Sequence, residues 1–247
     1  MKERTLVVIP ARIGSTRLSK KPLIKIGGIT MIERAAMKVM ESGLANIYVA
    51  TDDSEIVDAL TKYGIKTIMT DPNCLSGTDR AYEAWQNLAN QNDFDYILNV
   101  QGDMPFIEPS TIFKVAETLW HSKCDIVTPV AKVGIEEAAS ESNVKVVVNL
   151  AKQAMYFSRS LIPNGAEEFL YHVGVYGYKA SSLTNFVKLP ASFLEKAERL
   201  EQLRAIENGM TIEVCEVNDI PMSIDTPADL KKAEDYYNSF AKANEHH

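Results

Sequence analysis

Four cations, Arg12, Arg17, Lys20 and Lys21, crowd the stretch V-V-I-P-A-R-I-G-S-T-R-L-S-K-K-P-L, residues 7–23. Arginine offers planar forks of donors and lysine a compact positive point, so the cluster has the chemistry of a phosphate site. It follows Leu6, Val7, Val8 and Ile9, an apolar run that reads as a buried strand stopped by Pro10. Pro10, Gly14, Ser15, Thr16 and Ser19 predict a loop rather than a helix. A loop at the end of an early strand is where open α/β folds bind phosphates. The stretch matches neither G-x-G-x-x-G nor G-x-x-x-x-G-K-[ST], which sets aside the dinucleotide and P-loop fingerprints. The plain alternative is a solvated basic loop.

Two carboxylates stand out further along. Asp103 follows the apolar run Tyr96–Val100 inside the turn Gln101-Gly102-Asp103-Met104-Pro105. Such a position suits a Mg²⁺ ligand on a nucleotide, or a turn aspartate bonded to its own backbone. Asp225 lies in I-D-T-P-A-D-L, where Thr226 as cap, Pro227 at the first helical position and Asp229 already make a helix start. That scheme leaves Asp225 free to point elsewhere, and with Asp103 it gives two hard oxygen donors. Ser76-Gly77-Thr78-Asp79-Arg80 opens another helix, whose N–H groups and Arg80 either meet a ligand or form an ordinary cap with a solvated arginine. His172 begins H-V-G-V-Y-G-Y; a lone strand histidine is more often satisfied structurally than catalytic. Glu201, Gln202 and Arg204 sit on a segment that would normally face solvent.

The elements that position these residues alternate at first. Gly27-Gly28 makes a turn, and a helix is predicted over Thr30–Ser42 with Met31, Ile32, Ala35, Ala36, Val39 and Met40 as its apolar stripe. Asn46–Thr51 predicts a strand, Ser54–Tyr63 a helix and Lys66–Met69 a strand. This order implies a parallel sheet with right-handed crossovers. A helix from Ser76 through Asn90 buries Ala81, Ala84, Trp85 and Leu88, followed by strand Tyr96–Val100, helix Pro109–His121 and strand Asp125–Val130. From about Val133 the pattern changes: Val144–Asn149, Ala154–Ser158 and His172–Lys179 are strand-like without long helices between them. An inserted antiparallel lobe over about 133–190, within a single domain spanning 1–247, is therefore expected. Ser192 and Glu195 predict a capping box on a helix running to Asn208 and closed by Gly209. Thr211–Val217 is a strand and Pro227–Phe240 a closing helix.

Composition bounds the function. The 247 residues are 46% hydrophobic and 24% charged, with a formal net charge of −7, which argues against a general nucleic-acid binder. An acidic chain that gathers cations in one loop suggests a local site for a small anion. No run approaches a transmembrane helix, and the charged Met1–Thr5 leads into a strand, so neither a membrane span nor a signal peptide is expected. Cys74, Cys124 and Cys215 fit a reduced cytoplasmic protein without a zinc pattern or disulfide framework. Glu245-His246-His247 is a tag remnant or a native tail with no assigned function.

Taken together, P-A-R-I-G-S-T-R-L-S-K-K-P-L, V-A-T-D, S-G-T-D-R, V-Q-G-D-M-P, V-K-V-V, Y-F-S-R, H-V-G-V-Y-G-Y, L-E-Q-L-R and D-T-P-A-D-L resemble the 3-deoxy-manno-octulosonate (Kdo) cytidylyltransferases, in that family's order from residue 5 to about 237. The resemblance implies a nucleotide-diphospho-sugar transferase-like, Rossmann-like α/β mixed sheet with a small lobe that forms a homodimer. It implies the reaction of CTP with Kdo to give CMP-Kdo and diphosphate, with Mg²⁺ as cofactor, ahead of lipopolysaccharide assembly. By the same resemblance Arg12 and Lys21 hold the triphosphate, and Ala11, Arg17, Ser76, Gly77, Arg80 and Gln101 frame the nucleotide. Asp103 and Asp225 hold the metal, while Arg159, His172, Tyr176, Glu201 and Gln202 line the sugar-acid pocket. Two departures stand out. Met104 occupies the place of the glutamate in the family's common Q-G-D-E-P, and a thioether is a poor Mg²⁺ ligand. The segment between Arg159 and His172 is also shorter than in familiar members, which alters the pocket rim. Alternatives are a cytidylyltransferase for 8-amino-Kdo or a sialic acid, and a non-catalytic nucleotide-binding protein on the same fold.

Overall fold

The structure is a computed structural model that describes residues 1–14 and 17–244, with side chains as far as 239. Ser15 and Thr16 of the basic loop, and Glu245, His246 and His247, lie outside the described residues. In chain order the elements begin with β1 (Thr5–Ala11), the short hairpin β2 (Lys25–Ile26) and β3 (Ile29–Thr30), and α1 (Met31–Met40). Then come β4 (Asn46–Thr51), α2 (Ser54–Thr61), β5 (Lys66–Met69), α3 (Gly77–Gln86), β6 (Tyr96–Val100) and α4 (Pro109–His121). The next part holds β7 (Ile126–Val133), α5 (Ile135–Ala138), β8 (Lys145–Val148), β9 (Ala154–Ser158), β10 (Phe169–His172) and β11 (Val175–Lys179). It closes with α6 (Ala180–Phe186), α7 (Phe193–Glu198), α8 (Gln202–Glu207), β12 (Ile212–Glu216) and α9 (Pro227–Asn244).

The chain divides into two compact units. The first holds Val7–Gln91, Asn99–Pro109 and the chain from Pro221 onward; the second holds Met1–Leu6, Asn92–Leu98 and Ser110–Ile220. The first unit holds β4 and β5, which are parallel, and the ends of β1 (from Val7) and β6 (from Asn99), the strand order being β5-β4-β1-β6. Helix α1 begins in a capping box: Thr30 accepts from the Glu33 amide while Glu33 accepts from the Thr30 amide. Its stripe of Met31, Ile32, Ala35, Ala36 and Val39 is buried as expected, whereas Met40 is half exposed because the helix ends there. Gly43 stops it in the left-handed region, φ 74°. A separate cluster of Leu18, Ile26, Met31, Ile224 and Ala233 ties the loop after β1 to α9. Helix α3 ends at Gln86, short of the expected Asn90, because the Trp85 indole N–H donates to the Gln91 carbonyl (2.9 Å) and turns the chain back.

In the second unit β7 pairs antiparallel with β10 and β11 and parallel with β12, and β8 pairs antiparallel with β10 and β9. The sheet is therefore mixed. Two sequence expectations are corrected here. His172–Lys179 is two strands, since Val175 N–H donates to the Val173 carbonyl (2.7 Å) in a three-residue turn. The break faces Pro129 of β7, which has no N–H for the ladder; β10 pairs with Val130–Val133 and β11 with Ile126–Val127. The predicted helix from Ser192 to Asn208 is also two helices. Arg199 takes the left-handed conformation (φ 57°) and Leu200 N–H donates to the Glu195 carbonyl, a Schellman ending that buries Leu200. Among the described residues no helix is long and apolar enough to cross a membrane.

Candidate active site

The first unit contains a cavity of about 290 Å³ at the ends of β1 and β6 and the start of α3. Two glycines let these elements close up. A Cβ at Gly102 would lie 2.9 Å from Ile32 Cδ1 and 3.1 Å from the Pro10 carbonyl oxygen, so only glycine fits without displacing backbone. At Gly77 a Cβ would lie 3.2 Å from Pro10 Cγ. Ser76 caps α3, its Oγ accepting from the Asp79 amide (3.1 Å), which leaves the first N–H groups of the helix beside the cavity.

The charged side chains of the lining are Arg12, Arg17, Lys21, Arg80, Asp103 and Asp225. Lys21 is the centre of the group. Its Nζ donates to Asp103 Oδ2 at 2.8 Å and to Asp225 Oδ1 at 2.9 Å, and Arg17 Nη2 adds a longer contact to the same Asp225 oxygen at 3.2 Å. Burial opposes the charged ammonium, but Asp103 and Asp225 outweigh it and raise the Lys21 pKa above its ordinary value. Asp225 is free for this role because the cap of α9 is closed by other residues. Thr226 Oγ1 accepts from the Asp229 amide (3.2 Å) and the Asp229 carboxylate accepts from the Thr226 amide (2.9 Å). Asp103 sits in its turn with its carbonyl accepting from Ile224 N–H (3.0 Å), which fixes the two aspartate-bearing segments to each other.

Ala11, Arg12, Ser76, Gly77 and Gln101 also line the cavity. Arg12 is exposed there, and Gln101 Nε2 donates to Asn99 Oδ1 (3.3 Å). Of the two readings left open for Arg80, the solvated one does not hold: it is 2% exposed, donating through Nη1 to Thr70 Oγ1 and through Nη2 to Asp52 Oδ2 (3.2 Å). Lys20 turns to Glu55 (2.6 Å) and is outside the lining. Met104 is buried and absent from the lining too, so the side chain that replaces the family's glutamate belongs to the core. Cys74 lines the cavity, its thiol pushed up to about 12 by burial and by its bond to Glu83, and is unreactive as a thiolate.

The sugar-pocket candidates lie in the second unit. His172 is buried, Nε2 2.9 Å from Thr128 Oγ1, with its ring centroid 5.1 Å from Phe157 and 5.4 Å from Tyr176. Burial holds its pKa down to about 3, so the imidazole is neutral at physiological pH. Burial, with Tyr178 and Glu201, raises the Tyr176 phenol well above its usual value. Arg159 is anchored through Nε on the Glu198 carbonyl (3.1 Å) and Nη1 on the Glu141 carbonyl (3.0 Å). Gln202 is 5% exposed and its Nε2 has no hydrogen-bond partner, a cost that a ligand acceptor would remove.

Three residues with extensive hydrogen bonding beside the candidate sites escape the sequence reading. Glu198 accepts from Ser158, Tyr156 and the Arg159 amide; burial works against its charge, but these bonds keep its carboxyl below the usual range. Lys145 is fully buried and gives its three protons to the carbonyls of Ser140, Asn143 and Arg159. Asp52 links Ile13 and Arg80. Only V-A-T-D, V-K-V-V and the arginine motifs hinted at them, as pieces of pattern without a role.

Comparison with known proteins gives a consistent answer. A family profile described as cytidylyltransferase matches residues 6–212. The 3-deoxy-manno-octulosonate cytidylyltransferase of Rickettsia rickettsii (strain Sheila Smith) is 57% identical over 96% of this chain and 98% of its own. That of Rickettsia bellii (strain OSU 85-389) is 56% identical over 94% and 95%. Among solved structures, CMP:2-keto-3-deoxy-manno-octonic acid synthetase complexed with CTP superposes with a TM-score of 0.90 at 38% identity, covering 96% of this chain and 99% of that one. A putative glucose-1-phosphate thymidylyltransferase from Bacillus anthracis, at 14% identity and a TM-score of 0.68, shares the fold.

Proposed function

This chain belongs to the 3-deoxy-manno-octulosonate cytidylyltransferase family, and we propose that it carries out that family's reaction, CTP + Kdo → CMP-Kdo + diphosphate. The observation that carries the assignment of roles is Lys21 bridging Asp103 and Asp225 in a cavity whose other charged lining residues are Arg12, Arg17 and Arg80. A triphosphate needs cations, and the metal that accompanies it needs hard oxygens. The cavity supplies both.

The donor set fits Mg²⁺. Two carboxylates meet at one cationic point, and Mg²⁺ binds through one or two carboxylates while phosphates and waters complete its shell. Among the described residues no group of three or more His, Cys, Asp or Glu forms a cage, which suits a metal that arrives with its nucleotide. Asp103 and Asp225 would hold it, and when bound it supplies charge neutralisation and a lowered pKa for a coordinated hydroxyl.

The chain's own groups do the rest. Arg12 and Lys21 bind the triphosphate and neutralise charge on the phosphoryl oxygens as the anomeric hydroxyl of Kdo attacks the α-phosphorus in line with departing diphosphate. Arg17, the N–H groups after Ser76 and Gly77, and Gln101 orient the nucleotide, with Ala11 packing beside it and Arg80 held rigid by Thr70 and Asp52. Arg159 offers a fork of donors for the sugar carboxylate. Gln202, Glu201 and Tyr176 offer polar groups for the sugar hydroxyls, and neutral His172 orients rather than titrates. Homodimerisation through the second unit is supported by exposed Leu150, Met155, Leu161 and Phe193, and light scattering at twice the chain mass checks it. The three free cysteines support a cytoplasmic role before lipopolysaccharide assembly.

The test of the metal and phosphate roles is a set of three variants. Asp103→Asn and Asp225→Asn each abolish turnover with the fold retained by circular dichroism, and Lys21→Met lowers kcat at least a hundredfold, about 2.7 kcal/mol. Near-wild-type rates in both aspartate variants would remove the metal assignment, and an unchanged kcat would take Lys21 out of the mechanism.

A further inference from the structure

Asp52 follows β4 in the run Thr51-Asp52-Asp53, and the local work there is done by its neighbour. Asp53 caps α2, its carboxylate accepting from the Glu55 amide at 2.7 Å. Asp52 is left without a local partner and instead reaches across the sequence. Its Oδ1 accepts from Ile13 N–H at 3.1 Å, 39 residues away, and its Oδ2 from Arg80 Nη2 at 3.2 Å, 28 residues away. The Asp52 side chain is 9% exposed and that of Arg80 3%. The connection is closed into a ring, because Arg80 Nη1 donates to Thr70 Oγ1 and Thr70 donates back to the Thr51 carbonyl through both its amide (2.8 Å) and its hydroxyl (3.1 Å).

Both distant partners belong to the cavity wall or adjoin it. Ile13 directly follows Arg12, and Arg80 lines the cavity itself, whereas Asp52 is absent from the lining. We infer that Asp52 is a positioning residue for the nucleotide: one buried carboxylate sets the loop that carries Arg12 and the first turn of α3 against each other. A neutral residue of the same shape does this poorly. Asparagine accepts from only one of the two donors, and its own N–H₂ then confronts the other. A charged acceptor also makes the stronger bond to each donor.

The inference rests on the CTP reading of the cavity, and steady-state kinetics of wild type and Asp52→Asn in one series separate the two. Wild type turning over with CTP keeps that reading whatever the variant does. Asp52→Asn raises KM for CTP about tenfold and leaves KM for Kdo within about twofold. A residue that merely supports the fold would reduce the active fraction, lowering kcat at unchanged KM for CTP; that result overturns the inference. If Asp52→Asn does not fold at the assay temperature, Asp52→Glu serves. It keeps the charge but its extra methylene displaces one partner, so KM for CTP rises here as well, and a wild-type KM overturns the inference equally.

Discussion

At the residue scale, burial opposes the charged form of both Lys21 and His172, and their neighbours decide the opposite outcomes. Lys21 keeps its charge against burial because two carboxylates face it. His172 faces only a hydroxyl and aromatic rings, so burial wins and the ring stays neutral. Its folded pKa of about 3 lies below the ordinary 6.5, so the unfolded chain binds the extra proton in that window. The associated stability is present in full above 6.5 and is lost as pH falls toward 3, by roughly 1.4 kcal/mol per pH unit well below the upper value. The thermal midpoint of wild type therefore falls more steeply between about pH 7.5 and pH 5 than that of His172→Gln. Equal slopes would contradict the burial assigned to the ring. Asp225 was legible in the sequence, because the cap it might have supplied is already supplied by Thr226. The setting of Arg80 was not, since Asp52 and Thr70 reach it only through folding.

At the element scale, β4, β5, β6, β9 and α4 coincide residue for residue with the sequence expectation. Their signals are local: apolar runs bounded by polar or turn-forming residues. Where the expectation fails, the cause is a residue that ends an element without advertising it. Arg199 occupies a left-handed position usually given to glycine, so nothing in the composition marks the end of α7. The strand break before β11 depends on Pro129 in the partner strand, invisible until the register is known. The Arg199 conformation has a measurable cost. Arg199→Gly stabilises the protein by about 0.5–1 kcal/mol, raising the thermal midpoint by roughly 1–4 °C. A lower midpoint would mean that Arg199 makes a side-chain contribution larger than the backbone penalty.

For the whole molecule, an acidic chain gathers Arg12, Arg17, Lys21 and Arg80 around one cavity. With a net charge of −7, general polyanion binding is disfavoured, while Arg12, Arg17 and Lys21 put positive charge into the lining of one cavity, where we propose the nucleotide binds. The family was legible because its motifs mark strand ends and helix starts, the positions where backbone geometry and chemistry coincide. The anchoring of those motifs was not, because Asp52 and Glu198 meet partners far away in sequence. Pyrophosphate release from CTP in the presence of Mg²⁺, measured with and without Kdo, tests the central claim most directly. The predicted result is release only when Kdo is present, in step with formation of CMP-Kdo. Tight CTP binding with no release on adding Kdo would contradict it.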